Sequence, residues 1–225
     1  MHYTYFSHRH AFDLLENNND YQADWLSLKE VIEGISDDKL IEYFNRYSQG
    51  KNKSISVAIN RSLKDDLIAA GWHDESPIFQ DPHYVGDSWR LDFAKGKIAV
   101  EVAFNHGEAV AWNLIKPNLS GELNHVAKAI QTEIGVVITA TENMKKAGGF
   151  DSAVGTYEKY LTYLKPMQHM LTVPMLIIGL ERPETFYLSH DTSGNSKVGV
   201  VQQILGTYSA ALPLDKSRDS GDDGN

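Results

Sequence analysis

Residues 89–106, WRLDFAKGKIAVEVAFNH, decide the fold. Two runs within this segment, 89–94 and 98–104, are rich in apolar and β-branched side chains, which is typical of strands. A short stretch that contains a glycine, 95–97, separates them and is typical of a tight turn. The segment therefore predicts a β-hairpin.

Two acidic side chains lie inside these apolar strands. Glu101 alternates with Val100 and Val102, so it faces the opposite side of its strand. A hairpin that turns at Gly96 brings Asp92 to a position next to Glu101. Holding two carboxylates close costs several kcal/mol unless a cation neutralises them, and a hard divalent ion with oxygen ligands does so. A second interpretation is open, in which Glu101 pairs with a nearby Lys or Arg and Asp92 is solvated.

The rest of the chain predicts an α/β fold. Short β-branched runs at 134–140 and 173–180 are typical of strands covered on both faces. Apolar residues at helical spacing predict helices at 23–33, 37–47, 56–70, 108–130 and 153–164. Pro117 is expected to start, kink or split the helix that contains it. This order of elements describes a mixed central β-sheet flanked by helices on both faces.

Composition limits the class of protein. The chain has 225 residues, is 42% hydrophobic and 23% charged and contains no Cys, which predicts one globular domain without disulfides or thiolate metal sites. We expect that domain to span 1–213 and the polar, largely acidic end, 214–225, to be a disordered tail. No leader or run of membrane length is visible, which predicts a cytoplasmic protein that does not bind membranes. The net charge of −9 argues against general affinity for DNA phosphates but allows a local basic face.

Several motifs in order resemble the BglII/BstYI group of type II restriction endonucleases, in the PD-(D/E)XK superfamily. The central match is Asp92-x8-Glu101-Val102-x-Phe104, and the similarity spans residues 55 to 182 approximately. The flanking matches are Ala58-Ile59-Asn60-x3-Lys64-x2-Leu67-x3-Gly71-Trp72, Ile134-Gly135-Val136-Val137-Ile138, Gly155-x-Tyr157-Glu158 and Val173-Pro174-Met175-Leu176-Ile177-Ile178-Gly179.

The resemblance implies a catalytic site. In that family the acids that match Asp92 and Glu101 bind a divalent metal, normally Mg²⁺, and the carbonyl of Val102 is implied as a further ligand. Glu75 falls where relatives place an acidic or amide residue beside the metal, although a solvated loop carboxylate is the alternative for it. The third position of the signature, which carries Glu, Gln or Lys in such enzymes, is Ala103 here.

A methyl group at position 103 cannot bind a metal, orient the attacking water or stabilise the leaving oxygen. Three explanations are open: an engineered knock-out that traps intact DNA, a natural nuclease in which Asn105, Glu108 or Lys116 compensates, or a degenerate DNA-binding protein. The intact surroundings of Ala103 favour the first.

The residues predicted to contact DNA follow the second strand and occupy a later loop. Asn105 and His106 leave the strand beyond the acids, where Asn can bind an adenine edge through two hydrogen bonds; a strand-end cap and a surface imidazole are the alternatives. The loop with Lys145, Lys146 and Ser152 contains two glycines, and a helix predicted to begin at Ser152 offers its N-terminus to a phosphate. A flexible linker with a helix cap is the alternative for this loop. Further phosphate contacts are expected from Lys51, Lys53, Arg61, Lys64 and Lys116; simple solvation is the alternative for these scattered cations.

The first functional hypothesis is a homodimeric, Mg²⁺-dependent restriction endonuclease that cleaves a palindromic site in double-stranded DNA, because a palindrome requires two sites related by a two-fold axis. The resemblance suggests a GATC-like core. The second hypothesis is a catalytically silent DNA-binding module of the same fold. The third is an acidic metabolic enzyme whose carboxylates serve a small-molecule substrate.

Overall fold

A computed structural model describes residues 1–122, 125–193 and 196–204. The predicted tail at 214–225, and the last residues of the predicted domain that ends at 213, lie outside the described residues. No helix in these three ranges has the length and apolar character needed to cross a bilayer.

Within the described ranges, six strands form one mixed sheet in the order β1-β6-β5-β4-β3-β2. Strands β4, β5 and β6 run parallel, whereas β1, β2 and β3 each pair with their neighbours in the antiparallel direction. The strands are β1 (Tyr3–His8), β2 (His73–Pro77), β3 (Arg90–Lys95), β4 (Ile98–Val102), β5 (Ile134–Ala140) and β6 (Met175–Leu180). A separate hairpin consists of β7 (Phe186–Ser193) and β8 (Ser196–Gln203).

The predicted hairpin is the pair β3 and β4. The connection turns at Gly96, whose φ of 51° lies in the left-handed region that favours glycine. A Cβ atom at this position would lie 2.3 Å from a carboxylate oxygen of Asp24, so a larger residue would also displace the Asp24 side chain.

Helices cover both faces of the sheet, as the sequence predicts. Alternate residues of β5 and β6 pack into two different clusters: Val136 and Ile178 contact the helices of one face, and Val137 and Ile177 those of the other. The helices on the first face are α1 (Ala11–Asn17), α2 (Asn19–Gly34), α3 (Asp37–Tyr47) and α4 (Ser56–Ala69). The second face is covered by α5 (Val110–Gly121) and α7 (Tyr157–Met167), and the short helix α6 is Glu142–Ala147.

The helix predicted at 108–130 is wrong over its second half, because α5 ends at Gly121. Residues 127–129 instead run beside the segment that follows β2: the amide of Gln80 donates to the carbonyl of Ala127, and the amide of Ala129 donates to the carbonyl of Ile78. Pro117 lies inside α5.

The helix predicted at 153–164 begins later, at Tyr157. Val154 forms an isolated antiparallel bridge with His106, and the amide of Gly155 donates to the carbonyl of Asn105. These extended contacts keep the chain out of the helical conformation until Thr156, which precedes the first helical residue. Ser152 therefore does not begin a helix, and the helix N-terminus predicted there as a phosphate site is absent from that position.

Candidate active site

Three carboxylates occupy one level of the sheet on neighbouring strands. In β2 and β3, Asp74 pairs with Phe93 and Ser76 with Leu91, which places Glu75 opposite Asp92. One step beyond the last pair of β3 and β4, Asp92 lies opposite Glu101. Regular pairing of β3 with β4 ends one step earlier, at Phe93 and Val100. The structure therefore brings together the three acidic residues that the sequence analysis selected, at the point where the hairpin strands separate.

Asp92 is held by the backbone of the neighbouring strand. Its Oδ2 accepts a hydrogen bond from the amide of Val102 at 2.7 Å, which replaces the ladder contact that the separating strands no longer make. Burial raises the pKa of Asp92, the bond from Val102 and the charge of Lys116 oppose that rise, and the charge of Glu75 adds to it. The hydrogen bond from Val102 thus orients Asp92, and Glu75 lies close enough for its charge to raise the pKa of Asp92.

Glu101 is buried, with 2% of its surface exposed. Its Oε2 forms an ion pair with the ammonium group of Lys116, whereas Oε1 is buried without a hydrogen-bond partner. Burial, followed by the nearby charge of Asp92, raises the pKa of Glu101 to about 8, although Lys116 acts in the opposite direction. A buried carboxylate oxygen without a partner is costly, so its presence points to a missing cationic or donor ligand.

Lys116 reaches the acids from α5. Its side chain is 9% exposed, and its ammonium group also donates to the carbonyl of Arg90 at 3.1 Å. The sequence analysis gave Lys116 two roles, a phosphate contact and a residue that compensates for Ala103, and it left open that Glu101 pairs with a Lys or Arg. The structure places the amine in the interior, where it forms that pair and neutralises part of the charge of Glu101.

A cleft of about 160 Å³ opens beside Asp92. Glu75 lines it from β2, in a backbone conformation with φ 47°, which is unusual for a residue with a side chain and is maintained by the surrounding structure. Glu75 is exposed, but it lies in a strand and not in the loop that the alternative interpretation assumed. The full lining consists of Asn60, Lys64, Asp74, Glu75, Asp92, Phe93 and Val102.

The acids fit a divalent cation in part. Among the described residues, no group of three or more His, Cys, Asp and Glu side chains is arranged to hold a metal. However, Asp92 and the partnerless Oε1 of Glu101 supply two oxygen donors, which is the number of carboxylates that Mg²⁺ commonly takes from a protein, since it keeps several waters. The carbonyl of Val102, the residue that follows Glu101 on β4, is a further oxygen donor beside these acids. This set of donors is therefore compatible with Mg²⁺ completed by water and phosphate oxygens.

Ala103 faces a packed region and not the cleft. Its side chain is 2% exposed and belongs to an apolar cluster with Val110, Leu114 and Val137. Its amide donates to the carbonyl of Ile138 at 2.8 Å. A longer polar side chain at this position has to enter the core beneath α5.

The two segments predicted to contact DNA lie side by side. Asn105 and His106 are exposed, and the bridge between His106 and Val154 joins them to the loop that follows α6. In that loop Asp151 pairs with Lys53. The pKa of Asp151 is lowered, mainly by its bond to Lys53 and to a smaller extent by nearby charges that include His106.

The individual residues predicted to contact DNA have different surroundings. Lys145 lies 3.6 Å from Glu142 in an ion pair within α6, and Lys146 and Ser152 are exposed. Arg61 is exposed on α4, with its guanidinium 5.6 Å from the ring centroid of Tyr47, and it is not among the residues that line the cleft. Lys51 and Glu108 are exposed, and Lys64 lines the cleft and pairs with Asp74 at 2.6 Å.

Sequence reasoning missed two polar contributions to this region. Asn113 is buried and donates to the hydroxyl of Tyr160 at 2.7 Å and to Oδ1 of Asn105 at 3.3 Å. Asn60 lines the cleft from α4. Asn113 and Lys116 are three residues apart, on one face of an otherwise apolar helix, and this pattern is a signal of a buried polar role.

Comparisons with known proteins identify a family and a fold. The family model described as restriction endonuclease BglII/BglIII matches residues 3–180. The crystal structure of restriction endonuclease BglII complexed with a DNA 16-mer has a TM-score of 0.64 at 17% identity, covering 91% of this chain and 100% of that chain. The crystal structure of free BglII has a TM-score of 0.55 at 16% identity, covering 91% of this chain and 93% of that chain. None of the curated proteins searched matches the chain.

Proposed function

Because this chain belongs to the restriction endonuclease BglII/BglIII family, we propose that it hydrolyses phosphodiester bonds at a palindromic site in double-stranded DNA. The observation that carries the proposal is the position of Glu75 and Asp92 in an open cleft, with the buried Glu101 on the strand next to Asp92. Membership of this family argues against the metabolic enzyme considered from the sequence.

Mg²⁺ is the proposed cofactor, held by Asp92, by Oε1 of Glu101 and by the carbonyl of Val102. When bound there, the ion supplies charge stabilisation to the scissile phosphate and acidifies a water molecule. The protein contributes the orientation of these groups: the amide of Val102 fixes Asp92, and Lys116 occupies the other oxygen of Glu101. Glu75 lies at the mouth of the cleft, where its carboxylate is suited to hold a water molecule near the phosphate.

We assign recognition of the bases to Asn105 and His106. Contacts to the DNA phosphate backbone are assigned to the loop that contains Lys145, Lys146 and Ser152. Asn105 is exposed and lies just after the acids in the chain. Its Oδ1 accepts a hydrogen bond from Asn113, so the NH2 group of Asn105 remains available to donate to a base edge. We propose a GATC-like core for the target, from the resemblance of the motifs.

A homodimer follows from the proposed substrate. Cleavage of both strands of a palindrome requires two equivalent active sites related by a two-fold axis, and one chain has the elements of one such site. The proposed location is the cytoplasm, because the proposed substrate is double-stranded DNA.

The second candidate is a catalytically silent DNA-binding module of the same fold, and Ala103 is the observation that favours it. The two candidates differ in one measurable property, cleavage. The natural test is to incubate bacteriophage λ DNA with the protein and Mg²⁺ and to determine the ends of any fragments by sequencing.

Discrete fragments with one common end sequence are expected, and they must disappear with EDTA and in the Asp92→Asn variant. DNA that stays intact, together with retention of a specific duplex in a gel-shift selection from random sequences, would favour the silent module. DNA that is neither cut nor bound would contradict both candidates.

A further inference from the structure

We propose, on the basis of the function above, that Lys116 is a positioning residue that holds Glu101 in place and makes a polar side chain at position 103 unnecessary. The active site is then complete with alanine at that position. Ala103 is, on this view, neither a knock-out nor a sign of degeneration.

The first observation is the pair of contacts made by the Lys116 ammonium group. It binds Oε2 of Glu101 on β4 and the carbonyl of Arg90 on β3. One cation from α5 therefore bridges the two strands whose acids form the site. Its stem is buried, so the amine has little freedom to leave for solvent.

The second observation is the difference between the two oxygens of Glu101. Oε2 is occupied by Lys116, whereas Oε1 is buried without a partner. An ion pair to one oxygen fixes the plane of the carboxylate and leaves the other oxygen as the donor for a metal. This is the orienting task that a polar residue near a metal ligand performs.

The third observation is the environment of Ala103. It follows Glu101 by two residues, so both side chains lie on the same face of the strand, and α5 crosses above them. Asn113 of α5 bonds to Asn105 and Tyr160, one turn of helix before Lys116 bonds to Glu101. The helix thus supplies polar groups on both sides of Ala103, while the alanine methyl packs against Val110 and Leu114 of the same helix.

The test compares Lys116→Met with Lys95→Met. Lys95 is a matched control because it also bonds to one carboxylate, that of Asp24, and one backbone carbonyl, that of Ala70. Single-turnover cleavage of a plasmid that carries the mapped site is expected to fall by about 100-fold in Lys116→Met, with metal-free affinity for the duplex unchanged. Lys95→Met is expected to cleave like the wild type. Equal cleavage by Lys116→Met and the wild type would overturn the proposal.

A second measurement uses Mn²⁺ alone and does not depend on cleavage. Removal of the ammonium group frees Oε2 and takes away a repelling charge, so Lys116→Met is expected to bind Mn²⁺ about threefold more tightly than the wild type, as measured by electron paramagnetic resonance of the free ion. A general loss of structure would weaken both metal binding and cleavage, so opposite changes in the two properties exclude that explanation. Mn²⁺ affinities that are equal or lower in the variant would overturn the proposal. If Lys116→Met does not fold, Lys116→Gln is measured with the same expectations.

The Ala103→Gln variant separates this proposal from the proposed function. We expect Gln at 103 to give no gain in cleavage, because its side chain has to enter the apolar cluster beneath α5. Faster cleavage by Ala103→Gln would show that the site lacks a group at 103 and would overturn the proposal. If no protein cleaves DNA but Lys116→Met binds Mn²⁺ more tightly, the proposed function fails and the positioning role stands. If no protein binds Mn²⁺, both fail.

Discussion

The Oδ2 atom of Asp92 accepts a hydrogen bond from the amide of Val102 at 2.7 Å, at the point where β3 and β4 stop pairing. At this point the hydrogen bond that joins the two strands is made by a side chain of β3 and not by its backbone. This contact couples the position of the acid to the strand that carries Glu101 and the carbonyl of Val102. Four predictions follow from this site and its surroundings.

Replacement of Asp92 by Asn should abolish cleavage while the fold is kept. The amide has nearly the same shape but lacks the negative charge that a divalent cation requires, so we expect cleavage to fall by about 1,000-fold. Cleavage of λ DNA in Mg²⁺ and thermal unfolding by circular dichroism provide the two measurements. Asp81→Asn, at a partly exposed position in the segment between β2 and β3, is the control. An Asp92→Asn protein that cuts at the wild-type rate would remove this acid from the mechanism.

Metal-free protein should lose stability as the pH rises. Burial raises the pKa of Glu101 to about 8, so between the unfolded and folded pKa values the native state retains a proton that the unfolded chain has released. The stabilisation is complete below the pKa of Glu101 in the unfolded chain, and it is lost as the pH rises through the pKa of Glu101 in the folded protein. Burial also raises the pKa of Asp92, which has the same sign.

The measurement for this pH effect is unfolding by urea at pH 5 and pH 9. From pH 5 to pH 9, Glu101→Gln, which cannot ionise, should lose about 1 to 3 kcal/mol less stability than the wild type. Glu30→Gln, an exposed position on α2, should follow the wild type. Identical pH dependence in Glu101→Gln and the wild type would mean that Glu101 is not the group responsible.

Replacement of Tyr160 by Phe should cost stability because Asn113 is buried and donates to that hydroxyl at 2.7 Å. Loss of the acceptor leaves a buried amide hydrogen less well satisfied, with an expected cost of about 1 to 2 kcal/mol. Urea unfolding gives this value directly. Tyr163→Phe, on the same helix, is the control and should cost less. Equal losses in the two variants would assign the effect to the helix in general.

Replacement of Asn105 by Ala should weaken binding to the target duplex more than binding to a scrambled one. A side chain that contacts a base edge contributes about 1 to 3 kcal/mol of discrimination, or about 10-fold to 100-fold in affinity. Fluorescence anisotropy with both duplexes, without metal, measures the ratio. His83→Ala, in the exposed segment before β3, should leave the ratio unchanged. An equal loss for both duplexes would instead indicate a phosphate contact.

The hairpin that carries the acids was predictable because its signal is local. Alternation along β4 and the glycine at position 96 are both properties of a short stretch, and they determine which side of the strand Glu101 faces. Strands β5 and β6 were predictable for the same reason, since their continuous β-branched runs need cover on both faces.

Elements held by distant contacts escaped prediction. β2 has the sequence HDESP, without apolar alternation, and it is a strand because it pairs with β3. The helix predicted at 108–130 failed because helical spacing of apolar residues does not reveal that Ala127 and Ala129 bond to the segment 78–80. The late start of α7 depends on the bridge between His106 and Val154. Each of these contacts joins residues far apart in sequence.

The site was predictable in its acids but not in its cation. Asp92 and Glu101 were recognisable as charges inside apolar strands, and their proximity follows from the register. The partner of Glu101 required the packing of α5 on the sheet, which spacing along the chain does not specify. Lys116 was therefore named as a phosphate contact and as one of three residues that compensate for Ala103, but not as the specific partner of Glu101.

The turn at Gly96 bears on how relatives of this chain are recognised. Residues paired across an antiparallel hairpin have numbers with a constant sum. The interval of nine positions between Asp92 and Glu101 therefore reflects the length of the turn and the distance of the two acids from it, and not a chemical requirement. Homologues with a longer connection would show a wider interval with the same distance in space. A search pattern should therefore allow a variable gap between the two acids. At the third position of the signature, two residues after the second acid, it should also accept an apolar residue when the next helix carries a lysine.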